Sequence, residues 1–516
     1  MKKLPIGIQS FEKIRTQNYI YVDKTPFIEK MLNTAPYLFL SRPRRFGKSL
    51  LVDTLKCLFE GKKELFQGLY IYDKWDWNTK YPVIRLDFVP DKYTDPQTLS
   101  QKFTFLFKEL YNYHQIPYFE DTLHSNQFQH LIKEVYKKYG QKVVILIDEY
   151  DKPIIDCLTE VEVAKANRML LRSVYSVIKG SDEYIRFAFI TGVSKFSKVS
   201  LFSDLNNFMD ITIHRNFSTL CGYTHQDVLT HFADYLEGVD IERVKKWYNG
   251  YSWNTKAESV YNPYDILLFL HSREYRSHWF ETGTSSFLID LIEKGNCYLP
   301  SLENTVSDEL LLSTFDIEDL YPEAVLWQTG YLTIKEELQV YDTIEYRLGY
   351  PNFEVEQSLN RVLLRHYLRS SKSKYNPVAS AVVGILSSGD MQGLRNQLNS
   401  LLSSVSYTYS TVGDLGAYEG FYASVLYAYF KGLGIESVSE DVTSIGRIDL
   451  TLFAHPHIYI FEFKMKHHGQ GALEQIRHKR YYEKYLSEGR IIYLVGIVFD
   501  VQTRNIAQFE YEVIYP

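Results

Sequence analysis

Two sets of residues in this chain have types and spacings that could do chemistry. The first is Gly47-Lys48-Ser49, which ends the stretch LSRPRRFGKS (40–49). It closes like a phosphate-binding loop, GxxxxGK[ST], in which backbone N–H groups cradle phosphates, the lysine reaches the terminal ones and the hydroxyl holds Mg²⁺. One hundred positions after Lys48 stands Asp148, in VVILIDEYD (143–151). An acidic pair ending a buried strand supplies the rest: Asp148 orients the metal and Glu149 polarises an attacking water. The second set is Asp449 in GRIDLTLF (446–453) with Glu462 and Lys464 in IYIFEFKMK (458–466). Two carboxylates flanking a lysine make a Mg²⁺ site with a cation beside it, ready to activate water or hold a scissile phosphate. Glu419, on one helix face with Ala423, Leu426 and Phe430, points inward.

Each set needs particular elements to hold it. Before the loop lies an apolar run, Tyr37–Leu40; after it, KSLLVDTLKCLFEG reads as an amphipathic helix closed by Gly61. That is the strand–loop–helix arrangement in which a helix N-terminus meets phosphate oxygens. Val83–Phe88, Val143–Ile147 and Ile185–Ile190 read as further buried strands between helical patterns, hence βα units around a mainly parallel sheet. Thr25-Pro26 reads as a helix start with Thr25 as the N-cap. Arg42 stands where the loop template has its first glycine, and arginine does not take positive φ cheaply. Pro43 favours an extended Arg42, so this loop enters differently. Arg42, Arg44 and Arg45 then put charge beside a triphosphate, within a binding loop that runs through Phe46 to Gly47, Lys48 and Ser49.

In the last hundred residues, RIDLTLF and IYIFEFKM alternate around His455-Pro456-His457 as a hairpin. The hairpin sets Asp449 beside Glu462, and Glu462 and Lys464, two apart, share one strand face. LEQIRHKRYYEKY (473–485) reads as a helix with Gln475 near its start. Arg477, Lys479 and Arg480 give it a basic face able to follow a phosphate backbone. His455, His457, His467 and His468 read as solvent-exposed turn and loop residues, not as a metal cluster.

With YVDKT (21–25), SRPRRFGKS (41–49), VVILIDEYDKP (143–153), ITGVSKFSKVSLFSDLNNFMDIT (190–212) and WFETGTSSFL (279–288), the chain resembles a known family. It is that of bacterial and archaeal AAA-ATPase-like proteins with a C-terminal PD-(D/E)XK nuclease-like domain. The resemblance covers most of the chain. It implies that the RPRRFGKS loop is the family's own pattern. It also implies that the strand ending at Thr191 is sensor-like, with Thr191 or Ser194 near the γ-phosphate. The D…ExK set of Asp449, Glu462 and Lys464 falls where that family places its nuclease core, and the resemblance implies that the inward Glu419 adds a carboxylate to the metal set.

Composition bounds the rest. Over 516 residues, 45% hydrophobic and 23% charged residues are the balance of a globular protein of several domains. A net charge of -6 excludes a protein basic all over but leaves room for a local basic groove. No run of about 18 apolar residues could span a bilayer, and the four cysteines form no CxxC pair. The expectation is a cytoplasmic prokaryotic α/β protein, away from membranes, with homo-oligomers left open. Its three parts are an AAA-like P-loop domain over 1–225, a helical and winged-helix-like region over 226–405, and a nuclease-like domain over 406–516. The hairpin of the winged-helix-like part is read from VLWQTGYLTI (325–334) and YRLGYPNFEV (346–355). ATP and Mg²⁺ are the expected cofactors and nucleic acid the expected partner. Two rivals remain: a nucleotide-controlled switch that barely hydrolyses, and a C-terminal module that binds nucleic acid or protein without cutting.

Overall fold

Short aliphatic runs, each separated from the next by helix, build the N-terminal sheet. The computed structural model describes residues 1–88, 92–195, 206–280, 288–289, 291–292, 298–312, 315–368, 378–405, 419–466 and 471–516. The segment 370–377, His467, His468 and parts of the stretches 190–212 and 279–288 lie outside them. Strands β1 (Tyr37–Ser41), β2 (Val83–Asp87), β3 (Val143–Asp148), β4 (Ile185–Gly192) and β5 (Met209–Asp210) form one parallel sheet in the order β2-β3-β4-β1-β5. Every residue of β1 and β3 is buried, as in parallel sheets covered on both faces. The two-residue β5 carries too little pattern to be read from sequence.

In register, β4 lies between β1 and β3, pairing Thr191 with Leu40 on one side and with Asp148 on the other. The phosphate-type loop and the acidic pair therefore leave neighbouring C-terminal strand ends, where open α/β sheets bind ligands. The helix after the loop spans Lys48–Phe59, and Gly61 follows at φ 73°. The early helix spans Thr25–Thr34, one residue sooner than read. Asp23 accepts from the Thr25 N–H and hydroxyl, so the capping oxygen comes from Asp23 and not from Thr25.

The chain falls into two compact units, residues 1–291 with 306–352, and 292–305 with 353–516. The first also contains the ribbon β6 (Tyr223–Thr224) and β7 (Val260–Tyr261) and a sheet of β8 (Val306–Asp308), β9 (Thr333–Val340) and β10 (Thr343–Gly349). β9 and β10 form a hairpin, but not over the stretches read. Residues 325–329 lie in the helix Pro322–Thr329, 353–355 open the next helix, and the polar segment between the two stretches carries most of β9 and the start of β10. The helix that follows, Phe353–Tyr367, belongs to the second unit.

That second unit holds a mixed sheet in chain order: β11 (Glu436–Val442), β12 (Arg447–Ala454), β13 (His457–Met465), β14 (Ile491–Asp500) and β15 (Asn505–Ile514). β13 and β14 are parallel; the other pairs are antiparallel. The edge strands β11 and β15 were not read from the sequence, because edges carry charged, part-exposed residues that blur the apolar pattern. The helix read over 473–485 stops at Lys479: Arg480 turns to φ 50° and Tyr481–Glu488 continue as 3-10 helix. The turn lets Tyr481 and Tyr485 join Ile448, Ile460 and Ile476 in the core. His457 is also a correction, being buried, with its ring nitrogen on the Leu386 carbonyl at 3.0 Å. Among the described residues no helix is long and apolar enough to cross a membrane.

Arg42 explains the glycine missing from the loop. Its guanidinium is fully buried and donates to the carbonyls of Ser41 (2.8 Å), Thr212 (2.8 Å) and Phe217 (3.1 Å), and stacks 4.1 Å over Trp253. Its own N–H donates to the Gly192 carbonyl, so it extends the β1–β4 pairing by one residue and needs no positive φ. Burial lowers its pKa to about 10, which still leaves it charged at neutral pH. Arg42 is thus structural, not part of the charge around the cavity described below. Arg42→Ala strands buried carbonyls without donors, and should lower unfolding stability by roughly 2–4 kcal/mol, seen as a fall in urea midpoint at unchanged slope.

Candidate functional site

Gly47 sits at φ 91°, a left-handed conformation that glycine adopts at little cost, and is the N-cap of the helix Lys48–Phe59. A cavity of about 730 Å³ opens there. Its polar lining includes Arg44, Arg45, Gly47, Lys48, Ser49 and Glu149; its apolar lining includes Ile8, Ile20, Val22, Leu220, Tyr264 and Leu267. Lys48 donates to the carbonyls of Arg42 (2.9 Å) and Pro43 (3.0 Å), so two of its three donors hold the amine at the loop. Arg45 stacks 4.7 Å over Tyr264. The Arg44 carbonyl accepts from the Trp279 indole N–H. The Phe46 ring packs on Tyr251 and Trp253, which anchors the loop in the core and leaves the flanking residues to face the cavity.

Asp148 lies completely buried, and neither carboxylate oxygen accepts a hydrogen bond. Burial raises its pKa to about 6, against the opposing pull of the nearby Ser49 hydroxyl and Lys48. The closest cation is Arg85 at 3.9 Å, itself paired to Asp53 (3.1 Å) and Asp87 (3.2 Å). A hydroxyl beside an unpartnered carboxylate suits Mg²⁺, which takes oxygen ligands. Glu149 follows at φ 49°, left-handed without being glycine, and lines the cavity. Thr191 and Ser194 do not line it. The Thr191 hydroxyl donates to the Leu40 carbonyl (2.8 Å) and that of Ser194 to Asp151 (2.7 Å).

In the second unit the hairpin register pairs Leu450 with Phe461, so Asp449 and Glu462 face one another one residue beyond. Asp449 accepts from the Phe463 N–H (2.7 Å), an anchor that turns it toward β13. Lys464 donates to Glu462 (3.0 Å), and Glu419, the first residue of the helix Glu419–Gly432, reaches Lys464 at 3.8 Å. Gln475 donates to the same Glu462 oxygen, leaving the other buried and unpartnered. Burial raises the Asp449 pKa to about 7, against the Phe463 N–H and Lys464. Burial and then the charge of Asp449 raise that of Glu462 to about 8. Among the described residues no three His, Cys, Asp or Glu side chains converge on one metal position. A carboxylate pair with an orphaned oxygen still fits Mg²⁺, which keeps several waters. The basic face is largely neutralised: Arg477 pairs with Glu512 and Arg480 with Glu483, while Lys479 donates to the Ile445 carbonyl.

Sequence reasoning missed Asp151, Arg85 and the apolar cavity wall. Asp151 was visible as the second acid after Asp148, but nothing local marks it as buried. The wall comes from distant segments and has no local pattern.

Comparison with known proteins agrees in both places. Residues 5–202 match a family described as predicted AAA-ATPase, and residues 417–509 match the PD-(D/E)XK nuclease superfamily. A protein of Azotobacter chroococcum mcd 1, named "Uncharacterized protein in vnfD 5'region", is 44% identical over 517 residues, spanning 99% of each chain.

The raised carboxyl pKa values set a pH dependence. Asp449 and Glu462 hold protons more tightly folded than unfolded, where such groups titrate near pH ~4. Their favourable contribution is therefore present below about pH 4 and is lost as pH rises toward about 8. In metal-free protein, Asp449→Asn should raise the melting temperature by a few degrees at about pH 8.5 and leave it near the parent's at about pH 4. Calorimetry at both pH values checks the sign.

Proposed function

This chain belongs to the predicted AAA-ATPases that also carry a PD-(D/E)XK nuclease superfamily domain, and from that premise we propose that it hydrolyses ATP in its first unit and cleaves nucleic acid in its second. The observation that carries the reading is shared by both sites: carboxylate oxygens of Asp148 and Glu462 lie buried without a partner. Uncompensated buried charge is costly, and a divalent cation relieves it.

In the first unit the N-terminus of the helix Lys48–Phe59 receives phosphate oxygens, with Lys48, Arg44 and Arg45 supplying charge. The apolar lining takes the nucleobase. Ser49 and Asp148 hold Mg²⁺. Glu149 orients a water and takes its proton as the water oxygen bonds to the terminal phosphorus; the bond to the bridging oxygen breaks, releasing ADP and phosphate. In the second unit Asp449 and Glu462 would hold Mg²⁺, and Gln475 fixes Glu462. Burial works against the charge of Lys464, but Glu462 and Glu419 outweigh it and raise its pKa, so the amine stays a cation. Lys464 therefore holds the scissile phosphate and stabilises charge on it, while the water oxygen bonds to phosphorus and one ester P–O bond breaks. The proton lost by the water passes through solvent to the departing oxygen, leaving one hydroxyl end and one phosphate end. At both sites bound Mg²⁺ supplies the same chemistry, neutralising and polarising phosphate oxygens.

Lys48→Ala should weaken ATP binding by at least about tenfold, a loss of roughly 1.4 kcal/mol, with little change in fold. Equal affinity in calorimetry would sink the nucleotide reading. Glu149→Gln should keep ATP bound and slow turnover on the order of a hundredfold; a parent that binds ATP without turnover is a switch instead. On nucleic acid with Mg²⁺, Asp449→Ala should lose metal binding and cleavage together. Lys464→Ala should lose cleavage while metal affinity stays near the parent's. Cutting that survives both changes rules out the second site.

A further inference from the structure

The turn after Asp148 is fastened more firmly than sheet pairing alone requires. Glu149 is held in a left-handed conformation, which is unfavourable for a non-glycine residue and persists where the surroundings over-determine it. The fastening lies on the next two residues. The Tyr150 N–H donates to the Thr191 carbonyl (3.2 Å), its hydroxyl to the Ser194 carbonyl (2.9 Å), and its ring packs edge-on against Phe39. Asp151 is 1% exposed, and its Oδ2 accepts three hydrogen bonds: from the Val193 N–H (3.0 Å), the Ser194 N–H (2.6 Å) and the Ser194 hydroxyl (2.7 Å). Gly192 makes room for this. A Cβ there would stand 2.4 Å from Asp151 Oδ1 and 2.7 Å from the Tyr150 ring. Of the three residues in the turn, Glu149 alone lines the cavity.

We propose that Asp151 is a positioning residue for ATP hydrolysis: its carboxylate ties the turn to the backbone after β4 and so holds Glu149 toward the cavity. The proposal rests on the reading of Glu149 given above and adds the device that aims it. Asp151 touches no reacting atom; it acts through Glu149. The link also joins the ends of β3 and β4, so the aim of Glu149 depends on where β4 ends.

The experiment measures ATP affinity by calorimetry and steady-state turnover, both with Mg²⁺, in Asp151→Asn, Ser194→Ala, Glu149→Gln and Asp151→Asn combined with Glu149→Gln. Asp151→Asn should lower turnover by about tenfold or more while ATP affinity stays within about threefold, since a misplaced catalytic group loses rate and not binding. Ser194→Ala, which removes one of three donors, should lose less, on the order of two- to fivefold, and keeps the test open should Asp151→Asn not fold. The double variant should be no slower than Glu149→Gln alone, because residues acting as a unit are not additive. Parental turnover in both Asp151→Asn and Ser194→Ala overturns the proposal. So does a double variant whose loss is the product of the single ones, or a loss of ATP affinity matching the loss of rate. Parental turnover in Glu149→Gln instead removes the reading of Glu149 itself, and the inference with it.

Discussion

Burying a carboxyl group with an oxygen left unpartnered is the constraint on which this protein turns. Transfer of such a group out of water is unfavourable by far more than one hydrogen bond returns. The first unit nevertheless places Asp148 wholly out of solvent, and the second leaves Glu462 1% exposed with one oxygen unpartnered. Both carboxyls respond with pKa values above the ordinary range. Each unit also brings cations near without fully satisfying the acid. Arg85 stays 3.9 Å from Asp148, whereas Lys464 touches Glu462 at 3.0 Å. A core built for stability alone would place apolar residues at these positions. Perturbed carboxyls in a sheet interior are instead the mark of chemistry.

Geometry follows from that constraint. Strand ends are the places where a side chain can be buried on one side and meet a ligand on the other. In the parallel sheet, β1 and β3 end beside β4, which sets the phosphate-type loop and the acidic turn next to each other. In the second unit the same result comes from a hairpin, whose register brings Asp449 opposite Glu462 across 13 positions of sequence. In the first unit, Arg45 and Glu149, which both line the cavity, adopt left-handed φ. Their neighbours in the sequence, Phe46 and Tyr150, are buried.

Much of this was legible in the sequence, for reasons that differ by element. Strands β1 to β4 were readable because a parallel sheet buried on both faces writes continuous apolar runs. Asp449, Glu462 and Lys464 were readable because strand alternation on either side of a short turn at His455-Pro456 fixes their geometry locally. The edge strands were not, since half-exposed edges write little pattern. The break at Arg480 was not, because it serves tertiary packing of Tyr481 and Tyr485 and violates the local helical preference. Arg42 was read as charge for phosphates; only tertiary structure reveals three carbonyls waiting for its guanidinium. His457 was read as a solvent-exposed turn residue, and its burial depends on a carbonyl at Leu386, 71 positions away. Long-range partners of that kind leave no trace in nearby residues.

The cavity of the first unit is walled by five stretches of the chain: Pro5 to Lys24, Arg44 to Thr54, Lys92 to Thr94, Glu149 to Asp156, and Leu220 to Leu267. Whatever occupies it fastens segments about two hundred residues apart. Closing such a loop is entropically slow and late in folding. A bound ligand therefore acts as a removable cross-link on the finished topology. At a free concentration a thousandfold above its dissociation constant it deepens the native basin by about 4 kcal/mol. The lifetime of this chain against proteolysis then becomes a readout of ligand supply.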